Sequence, residues 1–208
     1  MIQRFLIMSL VLIIGLTILP SSQAQTPPSL QSAISSGQVS ARFFGTGGSS
    51  GDSVMVEVSK GPKAPSGPLT VSVPPGSKLA SGDAGAQSMI IIGVTGRSTG
   101  GNSYVPTGDI LVPATGSSRY ILNAFCAEFE KDNPSTSTTF SLRPADTTTA
   151  CIAQQSTKAG LSIEATQAAI WIHTDRISYE HMNEKFDISR ADWDRAVRVA
   201  AACGVSQR

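Results

Sequence analysis

Tyr120-Ile121-Leu122-Asn123-Ala124-Phe125-Cys126-Ala127-Glu128-Phe129 is the longest strand-like stretch of the chain. Apolar side chains occupy both faces of its alternation, so it predicts a strand covered on both sides and central in its sheet. Shorter segments upstream share the period of two. Val39, Ala41 and Phe43 alternate with Ser40 and Arg42; Val54, Val56 and Val58 alternate with Met55, Glu57 and Ser59. Leu69, Val71 and Val73 repeat the pattern, and Met89 to Val94 is a nearly continuous apolar run. Ile110 to Val112 and Thr138 to Leu142 bring the expectation to about seven strands, with turn signals roughly every ten residues, the spacing of an antiparallel β-sandwich.

Glycine and proline divide the chain. Sixteen of its 19 Gly lie between Gly37 and Gly116, whereas the last 60 residues hold two Gly and no Pro. Their scarcity there permits helices. The helical region is expected to start near Thr147, with Thr149 to Lys158 helix-compatible and ending at Gly160. Ser162 is placed to cap Ile163 to Thr174, Ser178 a short helix through Phe186, and Ser189 a helix from Arg190 to Cys203. Asp192 completes a near capping box with Ser189. Trp193, Val197, Ala200 and Cys203 form that helix's apolar stripe, and Gly204 stops it. The expected fold class is therefore α+β: a β-sandwich over residues 38–145, then a packed C-terminal subdomain of three to four helices over 146–208.

Residues 1–24 read as a signal peptide, and 25–37 as a lead into the sandwich. Arg4 precedes an apolar run from Phe5 to Leu19, and small residues at Ser22 and Ala24 suit cleavage after Ala24. The run is about 15 residues, short for a bilayer span. An uncleaved anchor is the alternative. The expected location is secreted or at the cell surface, or periplasmic in a two-membrane cell, with no membrane span after cleavage. Removing 1–24 takes away Arg4 and no acid, so the formal charge of +1 falls to zero. A neutral chain with 15% charged residues lacks the basic stripe of a nucleic-acid binder, so no such partner is expected.

Catalytic signatures fail on context. Gly47-Gly48-Ser49-Ser50-Gly51 and Gly96-Arg97-Ser98-Thr99-Gly100 match the nucleophile pattern, which needs a strand before and a helix after, but a strand from Ser53 to Ser59 follows the first and loop from Gly101 follows the second. His173 and His181 have no metal-ligand spacing; His173 is expected at a helix end and His181 in solvent. Asp52 and Asp132-Asn133 fit no calcium-loop pattern. Glu128 and Glu130 read as one solvent-facing strand edge. No catalytic residue, metal or cofactor is expected.

The specific lead is Thr166-Gln167-Ala168-Ala169-Ile170-Trp171. On a helix, Gln167 falls between Ile163 and Ile170 on one side and Trp171 on the other. A buried amide left unpaired costs about 1–3 kcal/mol, so it needs a partner. One answer is a hydrogen bond to a neighbouring strand; the other is a covalent bond. The segment resembles the glutamine motif of the thioester domains on Gram-positive surface proteins. Phe125-Cys126-Ala127-Glu128 is similar to that family's cysteine motif, with Phe and Glu where the family has Tyr and Asp. The resemblance implies that Cys126 and Gln167 condense into a thioester open to amines, walled by Phe125, Thr166 and Trp171. The implied function is an exported adhesion or interaction module whose partner is a surface protein or polysaccharide. The other class is a secreted hydrolase or carbohydrate-active enzyme using strand-loop carboxylates. Three cysteines leave one over. Either Cys151 and Cys203 pair, leaving Cys126 for the thioester, or Cys126 and Cys151 pair and Cys203 is buried as a small apolar residue.

Overall fold

The computed structural model describes residues 26–101 and 103–206; the segment expected to be a signal peptide, 1–24, lies outside them. Nine strands and five helices follow in chain order: α1 (Leu30–Ser35), β1 (Val39–Gly45), β2 (Ser50–Lys60), β3 (Leu69–Val71), β4 (Lys78–Ser81), β5 (Met89–Gly100), β6 (Ser103–Pro106), β7 (Ile110–Val112), β8 (Ser117–Cys126), β9 (Thr139–Arg143), α2 (Thr147–Lys158), α3 (Ile163–Thr174), α4 (Tyr179–Asn183) and α5 (Arg190–Ala202).

The expected seven-strand sandwich with an appended helical subdomain is not the fold. Six antiparallel strands close into a barrel in the order β4-β9-β1-β2-β8-β5, and β4 pairs back onto β5. Strand β6 extends β5 as a hairpin, and β3 pairs with β7 in a separate two-stranded sheet. The strand that closes the ring, β4, is four residues long and presents one fully buried apolar side chain, Leu79. Leu79 lies opposite Leu142 on β9 and Met89 on β5. Register shifts within β5 at Ile91/Gly93 and Val94/Gly96, and within β2 at Gly51/Val54, add the local twist that closure needs.

Cross-strand partners share a face, so the register identifies the lining of the barrel. Phe43, Val56 and Tyr120 form one layer, Val54, Leu122 and Val94 the next, then Ala124 with Ile91 and Cys126 with Met89. Six strands enclose less than the eight whose interior side chains just fill. The lining is accordingly a packed core rather than a binding cavity. Tyr120 Oη donates to Leu111 O (2.9 Å) and accepts from Leu111 N–H (3.0 Å), fastening the β3–β7 pair to the barrel.

Strand β8 is central as expected, between β2 and β5, but it ends at Cys126. Glu128 and Glu130 thus sit in the following turn and not on a strand edge. The helix starts are close to expectation: Ser162, Ser178 and Ser189 each accept the N–H three residues on. Helix α2 is capped by Asp146, which the sequence reading passed over. Helix α4 stops at Asn183, short of Phe186. The nucleophile-like segment at Gly96 is the end of β5 running into β6, with no helix after it. No helix among the described residues is long and apolar enough to cross a membrane.

Gly76 lets α2 approach the barrel. Its φ is +86°, and a Cβ there would lie 2.5 Å from the Ala150 Cα. Gly76→Ala therefore combines left-handed strain with a backbone clash. It is expected to destabilise by about 2 kcal/mol or more, read as a lower urea midpoint at unchanged slope.

Candidate functional site

Cys126 and Gln167 meet. Gln167 Nε2 donates to Cys126 O at 2.8 Å, and Gln167 Oε1 accepts from Cys126 N–H at 3.0 Å. Both residues are fully buried. The backbone explains the contact. Strand β2 begins at Ser50, opposite Phe125, so the ladder on that side of β8 runs out one residue before Cys126. The N–H and C=O of Cys126 are left without a strand partner. Gln167, reaching down from the first turns of α3, supplies an acceptor and a donor in place of the missing backbone unit. The cost of burying an amide is thereby met.

The thiol points elsewhere. Cys126 lies opposite Met89 on the barrel's inner face, and its Sγ is 3.8 Å from Met89 Sδ and 3.8 Å from Asn133 Oδ1. Burial, with a smaller push from the Glu128 carboxylate, raises the thiol to a pKa of about 12. A thiol raised in the folded state stabilises fully below its ordinary range near 8.5 and loses that contribution as pH climbs toward 12. With the thiol free, stability is therefore expected to fall across that alkaline window. Cys126→Ala should flatten the fall in urea titrations at stepped pH.

The disulfide joins Cys151 on α2 to Cys203 at the end of α5, and Cys126 is the free cysteine. This corrects the alternative in which Cys126 and Cys151 pair and Cys203 stays a buried thiol. Trp171 is buried, stacked edge-on against Phe129 and Phe186, and its Nε1 has no partner. Ile163, placed by the helical wheel beside Gln167, is half exposed at 51%. As the first residue of α3 it reaches Gly51 on β2 with its side-chain tip and leaves the rest in solvent.

The carboxylates considered for a hydrolase are occupied by protein partners. Glu128 accepts from Ser88 N–H at 2.6 Å and lies 3.7 Å from Lys78 Nζ. Glu130 pairs with Lys185 (2.5 Å) and His181 (3.0 Å), and the Lys185 hydrogen bond holds its carboxyl below the usual range. His181 is half exposed, with its Nε2 within hydrogen-bond distance of Glu130. His173 lies 3.8 Å from Asp146. Asp52 accepts from Thr95 Oγ1, and among the described residues no three His, Cys, Asp or Glu cluster as metal ligands.

A small cleft lies beside the buried pair. It measures about 190 Å³ and is bounded by β5, β8, the end of α2 and the start of α3. Phe125 and Thr166, the chain neighbours of Cys126 and Gln167, line it together with Asn123 and Ser156. Sequence reasoning had placed Phe125 and Thr166 at the site but passed over Asn123 and Ser156. Their signal was a polar residue within the apolar Tyr120–Cys126 run of β8 and a serine on the covered face of α2.

No family model matches the chain, and no curated protein or solved structure is similar to it.

Proposed function

We propose that the chain is an exported adhesion or surface-interaction module in which Cys126 and Gln167 condense to an internal thioester for covalent attachment to amines on a partner. In the condensation the Gln167 Cδ–Nε2 bond breaks and a Cδ–Sγ bond forms. The thiol proton leaves with the amide nitrogen as ammonia, and nothing is oxidised. The observation that carries the reading is the mutual hydrogen bonding of a free thiol residue and a fully buried glutamine, in a protein whose other two cysteines are bonded to each other. Burial of both residues supports it too, because a thioester survives only where water is kept out.

The test is uptake of methylamine by the purified chain, followed by mass. One methylamine per chain is expected, with none in Cys126→Ala or Gln167→Ala. Uptake that persists in either variant would rule out this pair as the reactive bond.

A further inference from the structure

A second cavity, of about 570 Å³, lies between the end of α3, the start of α4 and the start of α5. It shares no lining residue with the cleft beside Phe125, and neither Cys126 nor Gln167 lines it. Ile172, Ile177 and Trp193 form its apolar walls and are all buried. Two exposed guanidiniums, Arg176 and Arg190, and one exposed carboxylate, Glu180, complete its charged lining.

Both arginines are held in place. Arg176 follows α3 with a φ of +56°, and among the described residues it is the one residue other than glycine with a positive φ. Left-handed backbone just past a helix usually falls to glycine, because a Cβ there is disfavoured. Strain of this kind, kept where glycine would relieve it, collects at functional positions. Arg176 Nη1 donates to the Ser206 carbonyl at 3.3 Å, and both residues line the cavity. Arg190 lies over the Tyr179 ring, 4.8 Å from its centroid, with its Nε 3.6 Å from Asp194 Oδ1. Stacking fixes the plane of a guanidinium and leaves the N–H groups at its edge able to bond.

The size of the cavity falls within the roughly 300–1,000 Å³ that holds a whole small molecule. A guanidinium fork matches the two oxygens of a planar carboxylate. Glu180 leaves the lining with one net positive charge, which suits a monoanion better than a phosphate dianion. The buried isoleucines and the indole call for an apolar body behind that charge. We infer that this cavity binds a small organic monocarboxylate, its carboxylate held by Arg176 and Arg190 and its apolar body laid against Ile172, Ile177 and Trp193. The site is independent of the thioester reading and stands or falls without it.

The experiment is a calorimetric titration of the purified chain with phenylacetate and with phenylacetamide, which keeps the shape and lacks the charge. Phenylacetate is expected to bind at one site per chain, at least about tenfold more tightly than the amide, the effect of losing charge-assisted hydrogen bonds. Arg176→Gly should weaken phenylacetate by a similar factor while its urea midpoint stays at or above wild type, because glycine adopts the left-handed backbone without strain. Arg190→Gln should weaken phenylacetate as well. Absence of saturable phenylacetate binding, equal binding of acid and amide, or wild-type affinity in Arg176→Gly would each overturn the site. A lowered midpoint in Arg176→Gly would show that this arginine serves the fold, and would overturn its assignment to a ligand.

Discussion

Gln167→Leu is expected to lower the unfolding free energy by about 3 kcal/mol and to abolish amine uptake. Leucine keeps most of the volume, so the loss is chiefly polar. Measured against the chain with its glutamine amide uncondensed, the N–H and C=O of Cys126 each lose a partner, at 3.0 and 2.8 Å, while remaining buried behind α3. Leaving a buried backbone group unsatisfied costs about 1–3 kcal/mol, and two such groups are affected. Gln167→Glu separates charge from shape. Its carboxylate can still accept from the Cys126 N–H, but it sets a second oxygen against the Cys126 carbonyl. At neutral pH it should be at least as destabilising as leucine. Urea unfolding of both variants at a common slope checks this, and stability within about 0.5 kcal/mol of wild type would show that the amide is not holding the end of β8.

Loss of the Cys151–Cys203 disulfide is the second large effect. The bond spans 52 residues, containing α3 and α4 and ending with α5. Closing a loop of that length restricts the unfolded chain by about 4 kcal/mol. The paired substitution Cys151→Ala with Cys203→Ala, or reduction of the wild type, should lower the denaturant midpoint by a corresponding amount. The barrel is closed without help from this bond, since neither cysteine lies on a strand. Amide exchange should accordingly rise first in α5, with β2 and β8 protected until global unfolding. A midpoint unmoved by reductant would contradict this.

The strands that carry large apolar residues at every second position were legible: Val54, Val56 and Val58 on β2, and Tyr120 to Cys126 on β8. Architecture was not, because it turns on Lys78 to Ser81. A four-residue strand with one inward leucine has no periodicity to detect, yet its pairing with both β9 and β5 turns an open arrangement into a ring. Alternation states which side chains face inward and is silent on whether the inner face meets a second sheet or its own far edge. Helix starts were legible through Ser162, Ser178 and Ser189, since a capping hydroxyl is a local signal. Within the site, the helical wheel singled out Gln167, and it was the motif resemblance that paired it with Cys126. What the sequence could not convey is how they meet: β2 stops at Ser50, and the glutamine amide takes over the unpaired backbone of Cys126. That Asn123 on β8 and Ser156 on α2 line one cleft was illegible, because the cleft exists only once α2 and α3 pack beside β5 and β8.

The central claim is a covalent bond between Cys126 and Gln167, and the intact mass of the purified, non-reduced chain tests it most directly. A thioester with the Cys151–Cys203 disulfide gives a mass below the reduced sequence mass by one ammonia and two hydrogens, and treatment with methylamine then adds one methylamine. A mass lower by two hydrogens alone, unchanged by methylamine, would show a disulfide and a free Cys126 thiol, and would contradict the claim.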